Sequence, residues 1–557
     1  MTATAKQTGT PALSLATGFA LLLGTAHADI YRWEYINPAD PSQGKQQSSI
    51  LCPDGAGVNA VPNANLVFRN LTMAYLIGAD LTNARLERAV LTEADLSHAN
   101  LTNADFYSAT LTNANFTDAE VREADFFDTG FNTAQLYSTA SYQYKDLSGI
   151  VLSGNDFTGA SFAGQNLTNA NFQDGLLNSA DLSGANLTNA RFSHSTLTNA
   201  IFTGAEVRGA SFWSFTSSGI TPAQLYSTAS YQAKDLTGIS FQANNLTGWN
   251  LARQNLTSAS FQNAMLTNAD LRQANLMTAN LSSATLTNAS LFGATVRGAN
   301  FGNTTSRGFT AAQLYSTASY QIGDVTGINL ELNNLTGWNF AGQNLANANL
   351  RANLTNANLS GANLMNVIFR EATLTGADLS SADTRGAYTL GLTSAITFNT
   401  IRPDGKILGL DLTAGHLLLV RNYHPPSVIN PPPTTIQING QFTMDITGTL
   451  RMLFEEAAWN SLISFVPGTP VALGGTLDLD FAAGVDVASQ IGRSIRIFDW
   501  TGISPLGTFN VVSPYSWDLS RLYTTGEITL IPEPMTFALL MLGCSIVTLT
   551  MRIRVRA

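Results

Sequence analysis

Acidic side chains recur along the middle of this 557-residue sequence at positions that could form a ladder of carboxylates. Each directly precedes an apolar residue and is expected to point outward: Asp80, Asp95, Asp105, Asp125, Asp181 and Asp270. Stacked carboxylate oxygens could bind Ca²⁺ or imitate a phosphate backbone. Neighbouring positions mostly carry Asn, and Arg85, Arg122 and Arg191 interrupt the series. This favours solvated surface residues, and we predict no metal site.

Aromatic side chains recur at intervals of 89 residues: Tyr137, Tyr142, Tyr226, Tyr231, Tyr315 and Tyr320. Their flat rings and polar tips could stack on sugars, although packing of a local insert is the commoner role of such residues. Trp249 and Trp338 each follow Leu-Thr-Gly, beside the apolar residues Leu251 and Phe340. We assign both tryptophans to the position one residue before these central residues and therefore expect them to point outward, as candidate contacts for a partner.

No catalytic constellation is recognisable. The five histidines lie far apart, and no HExxH, GxSxG or Walker pattern occurs. Cys52, in a Leu-Cys-Pro-Asp-Gly segment interpreted as a turn, could be a buried apolar residue or a free thiol. We predict no catalytic residue and no cofactor. Because 28 basic residues face 38 acidic ones, the net charge of −10 argues against a nucleic-acid partner.

The elements that must position these residues repeat every five positions. From Leu66 onward an apolar residue recurs at that interval, as in Leu71, Leu76, Leu81 and Leu86. Two places before most of them stands Ala, and Thr, Asn, Asp or Ser occupy the other positions. Neither a helix nor a strand has this period. A fixed short period predicts a solenoid of stacked coils.

This pattern, A(D/N)Lxx, resembles the pentapeptide-repeat family over residues 63–383. The resemblance implies an all-β solenoid, a right-handed quadrilateral β-helix with the central Leu or Phe and the preceding Ala inside. Residues 29–62, with Tyr31, Trp33 and Tyr35, are predicted to form an N-terminal cap. Near Leu350 and Leu354 the apolar step shortens to four residues, where we expect a bulge or turn.

Short helices are predicted to interrupt the solenoid near 132–143, 221–232 and 310–321, in a superrepeat of about 89 residues. The segment Gln-Leu-Tyr-Ser-Thr-Ala-Ser-Tyr-Gln begins at Gln135 and returns at Gln224 and Gln313. An N-cap residue type stands before each copy, at Asn132, Thr221 and Thr310, and the Gln lies three residues after it.

Residues 384–530 lack the five-residue period. They contain apolar stretches with alternating polarity, and Asp404-Gly405 lies between two of them as a hairpin signal. We therefore predict a C-terminal antiparallel β-rich module. This module could cap the open end of the solenoid, whose unpaired backbone groups would otherwise stack on another molecule.

Both ends of the sequence have the character of targeting segments. Residues 1–28 form a predicted signal peptide, with cleavage after the small-x-small pair Ala26 and Ala28. Residues 531–557 contain Pro532, Glu533 and Pro534, a predicted transmembrane run over 535–551, and the arginines Arg552, Arg554 and Arg556. This tail resembles the PEP-CTERM sorting signal, which implies export, transient anchoring in the inner membrane and processing by an exosortase of Gram-negative bacteria.

We therefore predict an exported, non-enzymatic structural or interaction protein of the cell surface, outer membrane or extracellular matrix. The PEP-CTERM resemblance makes an exopolysaccharide of a biofilm, or another surface protein, the leading partner. Two alternatives remain open: a β-helix enzyme acting on polysaccharides, and a secreted pentapeptide-repeat effector. The scattered charges, 12% of all residues, disfavour the enzyme because such sites need clustered Asp, Lys or Arg.

Overall fold

The computed structural model describes residues 29–213, 219–388, 392–423, 435–455 and 458–533. These fall into two compact units, which divide after Asp146 and are considered separately below. The predicted signal peptide with Ala26 and Ala28 lies outside the described residues, as do Pro534 and the predicted transmembrane run with its arginines. Within the described ranges, the structure has no helix with the length and apolar character needed to span a membrane.

Stacked coils of twenty residues make up most of both units. Single parallel β-bridges join residues twenty positions apart, for example Asp80 with Asn100 in the first unit and Asp181 with Ile201 in the second. One coil therefore contains four pentapeptides. The central residue and, in most pentapeptides, the Ala two places before it point inward, as at Leu86 and Ala84, which are both fully buried. The period of five thus gives inward-facing positions on every side of a coil.

A β-turn closes each pentapeptide. In one example the backbone N–H of Ala84 donates to the carbonyl of Leu81 at 2.9 Å. Asn83, the second central residue of this turn, has a φ of 56°. Asn tolerates this left-handed conformation better than most residues because its short polar side chain can bond locally. This explains why Asn so often stands two residues after the central Leu or Phe.

The interior of the coils is a column of apolar side chains. Rings from successive coils stack face to face, as in Phe172, Phe192 and Phe212, whose centroids are 5.3 Å apart at each step. All three side chains are buried. Because the next coil covers each ring, every coil depends on its neighbours for the burial of its apolar face.

A hairpin covers the first coil of the N-terminal unit. Its strands are β1 (Asp29–Tyr35) and β2 (Lys45–Ala56), with a short 3₁₀ helix at Pro41–Gln43 between them. The backbone N–H of Trp33 donates to the carbonyl of Met73, and that of Tyr75 donates to the carbonyl of Tyr31, both at 2.8 Å. The hairpin thus satisfies backbone groups that the first coil would leave unpaired.

Three pairs of short helices interrupt the coils. Their bounds are α1 Thr133–Ser138 and α2 Ala140–Gln143, α3 Pro222–Tyr226 and α4 Ala229–Gln232, and α5 Ala311–Tyr315 and α6 Ala318–Gln321. Reciprocal capping boxes join Asn132 to Gln135, Thr221 to Gln224, and Thr310 to Gln313. The later two pairs lengthen their coils, since Ser211 pairs with Ser240 and Asn300 with Asn329, 29 residues apart. A 3₁₀ helix, Thr305–Arg307, precedes the last pair.

The missing residue near Leu350 is absorbed by a tighter turn. The backbone N–H of Ala352 donates to the carbonyl of Leu350 at 2.8 Å, an i→i+2 bond typical of a γ-turn. Bridges across this coil join residues nineteen apart, such as Asn334 with Asn353. The inward direction of the following residues is preserved, since Leu354 is fully buried.

The prediction of an antiparallel C-terminal module is wrong in its strand direction. The strands are β3 Lys406–Ile407, β4 Leu410–Leu412, β5 Leu417–Arg421, β6 Ile436–Ile438, β7 Phe442–Met444, β8 Thr449–Phe454, β9 Ile463–Phe465, β10 Ala472–Leu473, β11 Thr476–Phe481, β12 Ser494–Arg496, β13 Phe498–Asp499, β14 Leu506–Gly507, β15 Asn510–Val512, β16 Trp517–Asp518 and β17 Glu527–Leu530. A 3₁₀ helix at Val487–Gln490 precedes β12.

Most of these strands pair in parallel, in the orders β3-β6-β9-β13 and β5-β8-β11-β15, with β4-β7 and β10-β14 beside them. Leu450 pairs with Leu477, 27 residues on, and Ile463 with Phe498, 35 residues on. The region is therefore a solenoid with larger, unequal coils. Asp404-Gly405 is a turn between sides of a coil and not a hairpin, because the strand after it pairs in parallel with β6.

Antiparallel pairing is found among the described C-terminal strands in the sheet β12-β17-β16, where the solenoid ends. Trp517 stacks on Phe481 with ring centroids 5.9 Å apart, and the Trp500 indole N–H donates to the carbonyl of Leu522 at 2.8 Å. These contacts cover the last coils with residues that do not continue the stack.

A buried ion pair joins the last pentapeptide coils to this region. Arg385 and Asp383 are about 1% and 4% exposed, and their nearest N and O atoms lie 2.6 Å apart. Arg385 also donates to the Ser461 hydroxyl at 2.7 Å and to the carbonyl of Arg421 at 2.8 Å. Because the guanidinium of Arg385 bonds to the Asp383 carboxylate and to two further oxygens, the ion pair can be buried.

Candidate functional site

The six aspartates of the predicted ladder all build turns. Each accepts a hydrogen bond from the backbone N–H two residues later, donated by Thr82, Ser97, Tyr107, Phe127, Ser183 and Arg272 in turn. Where Asp is replaced by Asn the same bond forms, as from the N–H of Thr102 to Asn100 at 3.2 Å. Throughout the described ranges, His, Cys, Asp and Glu form no group of three able to hold a metal ion.

Other polar side chains link successive coils. The Asn103 amide donates to that of Asn83 at 2.8 Å, and the Asn100 amide donates to the Thr82 hydroxyl at 2.9 Å. The outward faces of the coils are therefore largely self-bonded. Their chemistry is that of a regular surface of amides and hydroxyls.

The electrostatic environment of the acidic residues differs from coil to coil. Burial raises the pKa of the carboxyl groups of Asp105 and Asp125 above their usual range. Burial also opposes ionisation of Asp95, but Lys45 at 2.7 Å and donors from Ser97 and Asn115 together hold its pKa below the usual range. This ion pair fastens the N-terminal hairpin to the coils beneath it.

Four of the recurring tyrosines fasten the later two helical inserts to the following coil. The Tyr231 hydroxyl donates to the carbonyl of Asn250 at 2.9 Å, and the Tyr226 hydroxyl accepts from the N–H of Asn250 at 2.6 Å. Tyr320 and Tyr315 make the same two bonds with Asn339, at 2.7 and 2.5 Å. Burial raises the pKa of Tyr320 to about 12. The tyrosines are thus occupied by packing, as is Tyr137, whose ring stacks on Tyr142 at 4.5 Å.

The prediction that Trp249 and Trp338 point outward is wrong. The two side chains are about 5% and 8% exposed. Each stands two residues before a central residue, which is the inward position that Ala otherwise takes, and not the outward position directly before it. Trp249 lies against Phe241 with ring centroids 5.6 Å apart, and Trp338 lies against Phe309 at 5.7 Å. Neither is available for a partner contact.

Cys52 lies in strand β2 and not in a turn. Its side chain is buried and forms no disulfide. Burial raises the pKa of the thiol to about 11. The residue is therefore both a buried apolar side chain and a free thiol, and it lacks the thiolate character of a reactive cysteine.

Of the predicted sorting residues, the structure describes Pro532 and Glu533. They follow β17 after Ile531, and Glu533 is exposed. The Ser516 hydroxyl donates to the Glu533 carboxylate at 3.3 Å. The side chain of Glu533 is therefore accessible from solvent.

A basic cleft that the sequence analysis missed lies on the middle block of coils. It has a volume of about 400 Å³ and is lined by Lys234, Arg253, Asp270, Arg272, Gln273 and Phe292 among others. Bonding to Arg272 is the main cause that lowers the pKa of the Asp270 carboxyl. Charge counted by block would have revealed the cleft: residues 224–312 hold five basic and two acidic residues, a net +3 in a chain of −10.

Parallel coils of stacked pentapeptides around an apolar column define a repeat β-helix. The family model "Pentapeptide repeats (8 copies)" matches residues 70–106, 89–132, 146–175, 176–213, 235–273, 266–305 and 351–383. The matched segments are therefore pentapeptide repeats.

Several solved structures are similar to the chain, among them the following three. HetL from the cyanobacterium Nostoc sp. strain PCC 7120 is 24% identical, with 61% of this chain and 94% of that chain covered and a TM-score of 0.14. QnrB1, a plasmid-mediated fluoroquinolone resistance protein, is 15% identical over 48% and 90%, with a TM-score of 0.16. Rfr23 from the cyanobacterium Cyanothece 51142 is 30% identical over 21% and 58%, with a TM-score of 0.11. No curated protein matches the sequence.

Proposed function

We propose that this protein is an exported, non-enzymatic structural or interaction protein of the cell surface or extracellular matrix. Its coils form a right-handed, four-sided pentapeptide-repeat β-helix that presents regular polar faces to an exopolysaccharide or another surface protein. An exosortase processes the C-terminal tail at the Pro532–Pro534 motif after passage through the inner membrane.

The observation that carries the proposal is the use of the polar side chains. Asp, Asn and Thr, which in an enzyme could serve catalysis, are bonded within turns and between coils, as at Asp80, Asn83 and Asn100. Pentapeptide-repeat proteins are generally structural or interaction proteins. Because these polar side chains already bond to the backbone and to one another, the surface is better suited to contact with a partner than to catalysis.

The covered ends of the coil stacks also support the proposal. The hairpin β1–β2 bonds to the first coil, and the sheet β12-β17-β16 closes the last one. Capping units of this kind keep repeat proteins from associating end to end. The protein is then suited to act as a discrete surface component.

The experiment is to determine the intact mass and cell fraction of the natural product. We expect a surface or medium form that begins after Ala28 and ends near Pro534. Replacement of Pro532, Glu533 and Pro534 by Ala should leave the tail attached and hold the product in the inner membrane. A full-length wild-type product in the inner membrane or the cytoplasm would contradict the proposed processing.

A further inference from the structure

We propose that the basic cleft on the middle block binds an acidic polysaccharide, a chain of sugars that carry carboxylates. This inference rests on the proposed function and names the chemical class of its partner. The site is formed by Lys234, Arg253 and Arg272 as cations, Asp270 as the one acidic lining residue, Gln273 as an amide and Phe292 as an exposed ring.

The charge of the cleft favours an anionic occupant. Among the described residues, Arg272 is the lining cation that pairs with a carboxylate: its Nη2 lies 2.6 Å from an oxygen of Asp270, and its Nε also bonds to that side chain. Arg253 bonds through Nε to the neutral amide of Gln273 at 2.8 Å, and Lys234 is exposed. The guanidinium edge of Arg253 and the ammonium of Lys234 therefore remain for carboxylates.

An aromatic ring lies beside these cations. Phe292 is about 62% exposed, because it projects from a coil whose interior is already filled by other apolar side chains. A flat apolar face next to hydrogen-bonding groups is suited to the faces of sugar rings. The cleft falls within the usual size of small-ligand sites, about 300–1,000 Å³.

Phe292 also borders a second cleft, which indicates a chain as the ligand. This neighbour has a volume of about 590 Å³ and an uncharged lining that includes Thr287, Asn288 and Ser290. Hydroxyl and amide groups of this kind can bond to sugar hydroxyls. A polymer could pass from the basic cleft over Phe292 into the neutral one.

The superrepeat shows that the fold does not require these residues. In the following block the positions of Lys234, Arg253, Arg272 and Phe292 are taken by Gly323, Gly342, Ser360 and Ser380. The blocks at 135–223 and 313–400 each have a net charge of −2, against +3 for the middle block. The cluster therefore belongs to one block on a scaffold that tolerates neutral residues at the same positions.

The test measures binding of the mature protein to polygalacturonate and to its fully methyl-esterified form, which has the same backbone without charge. We expect the wild type to bind the charged polymer, more weakly as salt rises, and to bind the ester poorly. Arg253→Gly with Arg272→Ser, the residues of the next block, should lower the affinity at least about tenfold for each arginine. Phe292→Ser should lower it about fivefold.

Matched controls separate the cleft from overall charge. Arg88→Gly with Arg191→Ser removes two exposed arginines elsewhere and should leave the affinity within about twofold. Gly342→Arg with Ser360→Arg should increase binding, because Gly342 has a φ of 66° close to the 61° of Arg253 and open space for a side chain. This gain of binding does not depend on whether the loss variant folds.

Four results would overturn the inference. The first three are full binding by Arg253→Gly with Arg272→Ser, equal binding of the esterified polymer, and equal or tighter binding of single-stranded DNA through the same arginines, and the fourth is failure of the wild type to bind the charged polymer. A product that is exported but fails to bind would refute this inference alone. A cytoplasmic product that binds polygalacturonate through the cleft would refute the proposed function alone.

Discussion

At the scale of single residues, position within the pentapeptide decides the role of a side chain. Asp80 and Asn100 look like surface decoration in the sequence, yet both close turns. The sequence predicted that aspartates at this position point outward, but it did not predict their turn bonds. It failed for Trp249, where an error of one position reverses the direction of the side chain. In a five-residue repeat, a shift of one position in the assignment therefore changes whether a side chain is expected inside or outside.

Cys52 offers a test at this scale. Since burial raises its pKa to about 11 from the usual 9.0, the folded thiol should react with a disulfide reagent at pH 8 about 100-fold more slowly than the unfolded one. Because the unfolded thiol ionises at a lower pH than the folded one, the contribution of Cys52 to stability is complete below pH 9. This contribution is lost as the pH rises through about 11.

The measurement is the labelling rate of a Cys544→Ala variant, in which Cys52 is the one remaining thiol, with and without urea. Cys52→Ala should lessen the loss of stability between pH 9 and 11. Equal labelling rates in the folded and unfolded chains would refute the assignment of Cys52 as a buried thiol.

At the scale of elements, the helical inserts are held to the coils by side chains rather than by their own length. Helices α3 and α4 have five and four residues, which is too short for independent stability. The capping box of α3 was predictable from the spacing of Thr221 and Gln224. The hydrogen bonds of Tyr226 and Tyr231 with Asn250 were not predictable, because the period does not reveal which coil the insert packs against.

Trp249→Ala should release one insert and leave the other intact. The change removes a buried ring beside Tyr226 and Phe241, at a cost of about 3–5 kcal/mol. Hydrogen exchange should accelerate over 222–232 and stay unchanged over 311–321, and Trp338→Ala should show the reverse. Exchange that accelerates equally in both segments would mean that the tryptophans stabilise the core in general and not their own insert.

At the scale of the whole molecule, the regular part of the solenoid was predictable and its C-terminal part was not. The period of five, together with the four-sided coil that the resemblance implies, predicted coils of twenty residues, and the duplication follows from the return of Gln135 at Gln224 and Gln313. Beyond residue 400 the coils differ in length, so no period survives. Alternating polarity remains, but it indicates strands without indicating their direction.

The duplication predicts that a whole block can be removed. Deletion of residues 224–312 joins Ala223 to Gln313 with the register of coils and inserts preserved. The shortened protein should fold with the same cooperative unfolding, since each repeat contacts its neighbours alone, and should lose polygalacturonate binding. Circular dichroism and thermal unfolding provide the measurement.

The control deletion, 229–312, removes five residues fewer and shifts every later coil by one side. It should fold poorly. If both deletions fold equally well, the superrepeat has no structural meaning and the register argument fails.

The single bridges between coils also determine how the second unit would respond to tension. If force is applied at the C-terminal end, the coils are expected to unfold one after another from that end, each in a separate step. Unfolding of an ordinary coil of twenty residues would release about 70 Å of extended chain, at about 3.3–3.6 Å per residue. Coils with a helical insert, at 29 residues, would pay out about 100 Å. The inserts thus divide the unit's extensibility into long and short steps at intervals set by the duplication.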